Sequence, residues 1–174
     1  MAAPAFVTQL NEQIGHEFGA HQQYVAIAAY YDALTMPKMA ALFYAQALEE
    51  REHAMMMVQY LLDADELPVI PAIAAPQATF ANVVEPVETA LAQEKRVTAQ
   101  INDLVRVARE ADDYASEQFL QWFIKEQVEE VSTMSDLLTV VTRAKDDVDR
   151  IEEFVARESR GHGDDPTAPR VAGA

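Results

Sequence analysis

The stretch FYAQALEEREHAMMMVQYL, Phe43 to Leu61, lays down an apolar stripe in steps of four and three: Phe43, Ala47, Ala54, Met57 and Leu61, with Glu50 in its middle. Spacing of this kind gathers side chains on one face of an α-helix. Glu50 therefore faces inward, and His53, one turn later on nearly the same face, can converge with it. Three other stretches repeat the pattern. Leu10, Ile14, Glu17, His21, Tyr24 and Ala28 form one; Val87, Leu91, Glu94, Thr98, Ile101 and Val105 another; Leu120, Ile124, Gln127, Val131, Met134 and Leu138 the last, with Glu130 three positions after Gln127. Burying an ionised carboxylate without a partner costs several kcal/mol, and these helices place carboxylates or a carboxamide at mid-length. A bound cation removes the difficulty.

The 174 residues suffice for one domain with a sizeable core. Half are hydrophobic and only 5 are Gly, and long stripes with almost no strand-like alternation make the chain all-α. The absence of cysteine excludes disulfides, iron–sulfur clusters and thiolate zinc sites. Met1 to Leu10 has neither a basic n-region nor a signal-length apolar run, and nowhere do apolar residues run on long enough to span a bilayer. We read a soluble cytoplasmic protein. A formal net charge of −16 disfavours nucleic acid and anionic membrane as partners and makes cations the natural guests, although an acidic surplus by itself also suits plain solubility.

Helix A is expected at 6–34, with a break at Thr35, Met36 and Pro37; helix B then runs to Asp65. The segment from Glu66 to Val84, with Pro68, Pro71 and Pro76, is a long connection. Helix C spans 85–110 and helix D runs to 143, with Asp113 as N-cap. Helix B is roughly 43 Å long at 1.5 Å per residue, and a connection of about nineteen residues can reach about 60 Å. The connection can therefore cross the bundle, which favours a ferritin-like four-helix bundle with one long crossover. A short fifth helix is expected at 147–159, with Val148, Ile151, Phe154 and Val155 on one face. The domain then occupies 1–160, and 161–174 is a flexible tail.

Oxygen-rich ligands with little imidazole suit iron or manganese more than zinc. About four carboxylates and one imidazole would over-neutralise a single divalent ion, so two metals fit better, with Glu50 as the bridge. With Glu17 and Tyr24, the run Glu49-Glu50-Arg51-Glu52-His53, Glu94, and Gln127-Val128-Glu129-Glu130 after Gln121-Trp122-Phe123, the chain resembles the bacterial non-haem ferritins from Leu10 to Ser159. The resemblance implies a hollow homo-oligomeric cage of about twenty-four subunits that oxidises Fe(II) with dioxygen and stores a ferric oxyhydroxide. It implies one iron site at Glu17, Glu50 and His53, and a second at Glu50, Glu94 and Glu130 with Gln127 beside it. A third falls at Glu49, Glu126, Glu129 and Glu130. Tyr24 matches the family tyrosine beside the diiron centre, as hydrogen-bond partner and electron donor. Glu50, Tyr24 and Gln127 are thus the residues assigned to catalysis.

The family pattern also sorts relatives. Bacterioferritins carry a second Glu-x-x-His on helix D, where this chain has Gln-x-x-Glu, and hold haem through a methionine directly after the bridging glutamate, where this chain has Arg51. No haem is expected, and Met55, Met56 and Met57 read as core filler. His21 departs from the pattern: it orients Glu17, relays protons or serves as an extra ligand, or else it is simply hydrogen-bonded within the helix packing. His16 faces away from the site. Trp122 and Phe123 belong to the bundle or a subunit contact, and Glu110, Asp112, Asp113 and Glu117 surround the C–D turn as a solvated loop or an iron-entry funnel. The rival readings are a diiron oxidase or peroxidase acting on a non-iron substrate, and a metal-free bundle whose acids pair with Lys or Arg.

Overall fold

The structure is a computed structural model and describes residues 2–158 and 165–173. It contains helices α1 (Pro4–Ala33), α2 (Pro37–Asp63), α3 (Glu85–Glu110), α4 (Tyr114–Arg143) and α5 (Val148–Glu158), and no strand among the described residues. Pro4, Pro37 and Pro86 sit in the first turns of α1, α2 and α3, where proline's missing N–H is no loss. The α1, α2 and α3 helices end through non-glycine residues in the left-handed region, Thr35, Asp65 and Asp112, with φ of 61°, 61° and 53°. Asp113 caps α4 by accepting from the Ser116 N–H.

The connection between α2 and α3 fixes the topology. Asn11 of α1 accepts from the Val69 N–H, Gln23 exchanges two hydrogen bonds with the Gln77 backbone, and the Tyr31 hydroxyl donates to Val83 O. The crossover therefore runs along α1 in the direction of α1, from its beginning to its end. It delivers α3 antiparallel to α1, and α4 returns beside α3. The result is the expected bundle of two antiparallel hairpins joined by one crossover.

A polar layer divides the core. Tyr24, Ile27, Phe43, Val87, Met134 and Val141 belong to one apolar cluster, while Leu10, Ile14, Met57, Leu61, Ile101 and Phe123 belong to another. The helix α5 closes the first cluster with Ile151 and Val155. Its Glu152 carboxylate accepts from the Lys38 and Met39 N–H groups at 2.8 and 2.9 Å, capping α2, whose own N-cap residue Met36 offers no acceptor.

The segment expected as a flexible tail makes specific contacts over its described part. Asp165 accepts from Trp122 Nε1 and Lys125 Nζ, the Arg170 guanidinium pairs with Asp63, and the Ala172 N–H donates to Met55 O. Ala168 and Val171 pack on the second apolar cluster. These few apolar and charged anchors make no periodic pattern, which is why the sequence reads as unstructured there. His162 and Asp164 lie outside the described residues.

Candidate metal centre

One turn of α1 and one turn of α2 bring Glu17 together with Glu50 and His53. All three are buried, at 1 %, 0 % and 4 % exposure, and each offers a ligand atom within 4.8 Å of the others. Oxygen and nitrogen ligands stand about 2.0 to 2.2 Å from a first-row cation, so the set can close on one ion. His53 Nδ1 is 3.4 Å from Glu50 Oε2. The imidazole is held edge-on by Trp122 and Phe123, with ring centroids 5.6 and 5.9 Å away, so the two aromatics of α4 fix the plane of a candidate ligand.

Beyond Glu50 the layer continues to Glu94 of α3 and Glu130 of α4, both buried. Glu94 is already engaged: the Tyr24 hydroxyl donates to its Oε1 and Gln127 Nε2 to its Oε2, the latter at 3.4 Å. Gln127 in turn accepts from Thr98 Oγ1 at 2.9 Å, so its amide brackets Glu94 between α3 and α4. Among the described residues, Glu17, Glu50 and His53 are the set of three that converges. Glu94 and Glu130 are not part of that set.

The electrostatics follow from this crowding. Burial pushes the Glu17 carboxyl well above the ordinary range, and the Glu50 charge adds to it. Burial does the same to Glu50, reinforced by Glu94 and Glu130, and to Glu130, reinforced by Glu94, Glu49 and Glu126. Glu94 is raised by burial against the hydrogen bonds of Tyr24 and Gln127, and burial with Glu94 lifts the Tyr24 phenol. Of the buried side-chain polar atoms without a hydrogen-bond partner among the described residues, all but Gln93 Nε2 are oxygens of this layer: Glu17 Oε2, both Glu50 oxygens, Glu130 Oε1 and Gln46 Oε1. Orphan acceptors grouped this way call for protons or a cation.

The remaining acids lie on the outer side of Glu130. Glu49 and Glu126 are partly buried and close enough to raise it, while Glu129 is exposed. Gln46, 5 % exposed, donates to Glu49 and hydrogen-bonds Glu130. Gln46, Gln13 and Thr98 are site residues that sequence reasoning missed or passed over. The signal for the two glutamines was a polar residue one turn before a ligand, hidden because each lies one step off the heptad stripe.

Other candidates resolve differently. His21 Nδ1 lies 2.6 Å from Ala47 O; a carbonyl only accepts, so this nitrogen carries the proton and the histidine ties α1 to α2. His16 is exposed. At the α3–α4 turn, Glu117 accepts from Arg109 Nε at 2.8 Å, and Asp113 accepts from the Ala3 N–H as well as capping α4. These two acids thus have structural partners within the chain.

Comparison with known proteins agrees with this fold. The model of the ferritin-like domain matches residues 7–144. The chain is 51 % identical over 168 residues to ferritin BfrB of Mycolicibacterium smegmatis, covering 97 % of this chain and 93 % of that one. It is 36 % identical to a bacterial non-heme ferritin of Staphylococcus epidermidis, covering 90 % and 97 %. An engineered closed form of the Archaeoglobus fulgidus ferritin superposes with a TM-score of 0.88 at 25 % identity, covering 94 % of this chain and all of that one. A family model spanning most of the chain, relatives over nearly its whole length and a shared bundle lead to one assignment: the protein belongs to the ferritin-like family.

Proposed function

We propose that this protein stores iron, taking up Fe(II), oxidising it with dioxygen at the polar layer of the bundle, and keeping Fe(III) as a ferric oxyhydroxide inside a cage of about twenty-four copies. The observation that carries the reading is the buried convergence of Glu17, Glu50 and His53 with their unpartnered carboxylate oxygens. Relatives named as ferritins cover nearly the whole chain and support it. Iron is here the substrate and cargo.

Hard anionic oxygens favour Fe(III) over Fe(II). In the proposed arrangement Glu17, Glu50 and His53 hold one iron and Glu50, Glu94 and Glu130 its neighbour, with Glu50 shared. Two Fe(II) side by side supply two electrons to one dioxygen, and two protons complete hydrogen peroxide. Tyr24, hydrogen-bonded to Glu94, is placed to orient that carboxylate, and this two-electron step draws no electron from it. Gln127 adds a neutral group where a stronger ligand would retain the product. Glu49, Glu126 and Glu129, with Glu130, offer the oxidised ion a graded way from the buried layer towards solvent. Arg51, directly after Glu50, is exposed and offers no thioether, so we propose that no haem is bound. Among the described residues no helix is long and apolar enough to cross a membrane, and we propose a cytoplasmic location.

The test is Fe(II) addition under air to metal-free protein, with oxidation rate and particle mass recorded together. Rapid oxidation should be lost in Glu50→Ala, by at least about a hundredfold given the shared position of this ligand, with particle mass unchanged. A wild-type protein that turns over an organic substrate and retains no iron would instead make it a diiron oxidase.

A further inference from the structure

Gln13 lies one turn before Glu17 on α1 and is 2 % exposed. A buried amide is costly unless its polar atoms find partners, and this one finds two. Its Nε2 donates to Glu17 Oε1 at 2.9 Å and reaches Gln100 Oε1 of α3 at 3.4 Å. Gln100 itself lies on the wall of a cavity of about 540 Å³ bounded by α1, α3 and the crossover. The amide is therefore braced from the outer side of the bundle and engages the carboxylate on the inner side.

The consequence lies in what it leaves free. A terminal carboxylate torsion is soft, and an unrestrained glutamate can offer a cation either oxygen or both. With Oε1 occupied by the amide, the oxygen remaining is Oε2, which has no hydrogen-bond partner. We infer that Gln13 is a positioning and specificity-determining residue for the metal centre: it holds Glu17 to one-oxygen ligation. The inference rests on reading Glu17, Glu50 and His53 as a cation site. Large hard cations such as Ca²⁺ take six to eight oxygens and draw two from a carboxylate, whereas first-row ions are content with fewer. An amide that turns Oε1 towards itself disfavours the two-oxygen mode and so discriminates by size, without placing any charge of its own beside the ligand.

The experiment compares Co(II) and Tb(III), a small and a large redox-inert probe, by titration of the assembled metal-free protein. Wild type, Gln13→Leu, Gln100→Leu and a Glu17→Ala control are used, with helicity and particle mass confirmed for each. Gln13→Leu should weaken Co(II) at the Glu17-dependent site by about tenfold, the usual scale for losing a group that orients a ligand, while Tb(III) holds or tightens. Gln100→Leu should move the ratio the same way by less. A Co(II)/Tb(III) ratio in Gln13→Leu within twofold of wild type, including parallel weakening of both ions, would show a merely structural glutamine and overturn the inference. Wild-type protein with no Glu17-dependent Co(II) uptake would overturn the cation site and this inference with it.

Discussion

At the scale of single residues, the centre is a set of acids kept from ionising together. Burial first, and then each other's charge, push Glu17, Glu50 and Glu130 well above the ordinary 4.5. Above about pH 4.5 the metal-free folded chain thus holds more protons than the unfolded chain. The unfolded-minus-folded proton count is negative there, so this contribution lowers stability as pH rises through that window. A divalent ion replaces the protons and reverses the trend. Zn(II) should therefore raise the melting temperature more at about pH 7 than at about pH 5, and its binding heat near neutrality should vary with the ionisation enthalpy of the buffer. Equal Zn(II) shifts at both pH values and a buffer-independent heat would refute the protonated layer. The buried acids Glu17, Glu50 and Glu94 were legible because each interrupts an apolar stripe. Gln13 and Gln46 were not, since a glutamine one step off a stripe reads equally as surface, and Thr98 stood on its stripe without any sign that it touches Gln127; only the neighbouring helix shows such partners.

At the scale of elements, helix bounds followed from the stripes and prolines to within about two residues, while the contacts that lock elements together did not. Helix α1 carries two glycines with opposite reasons for being there. A Cβ on Gly15 would meet Pro71 Cγ of the crossover at 2.5 Å, whereas one on Gly19 would meet nothing within 4 Å. Alanine in mid-helix gains roughly 0.5 to 1 kcal/mol over glycine. Gly19→Ala should stabilise the chain by about that amount, and Gly15→Ala should lose it and more, since the crossover would have to lift from α1. Thermal denaturation of the pair decides this; equal and positive shifts would mean the crossover does not depend on that close approach. The Glu152 cap and the docked segment 165–173 were illegible for a related reason: each works through one or two contacts far away in sequence, at Lys38 and Met39 or at Trp122, Lys125 and Asp63, and such contacts leave no periodic trace.

At the scale of the whole molecule, connection lengths alone were enough for topology, because only a long crossover can return α3 antiparallel to α1. What the single chain leaves uncovered then bears on assembly. The crossover exposes three closely spaced large apolar side chains, Leu67 at 84 %, Val69 at 63 % and Ile70 at 59 %, on a strap anchored to α1 through Asn11 and Gly15. Scattered exposed apolar residues need no explanation, but a cluster of them on an anchored surface marks a contact between molecules. The proposed cage supplies one, with a second copy covering the strap. Each of these side chains removed from water contributes up to about 1.5 to 3 kcal/mol, and a symmetric contact counts it in both partners. Replacing Leu67 and Ile70 together by lysine should therefore shift the particle to smaller species, seen as a fall in mass by light scattering, while helicity stays unchanged because neither side chain is buried within its own bundle. Since the chain carries a net charge of −16, self-repulsion opposes assembly and is screened by salt, so raising ionic strength should partly restore the large particle in the lysine variant. A variant that keeps the wild-type mass at low salt would place the strap outside the subunit contact and leave assembly to other faces of the bundle.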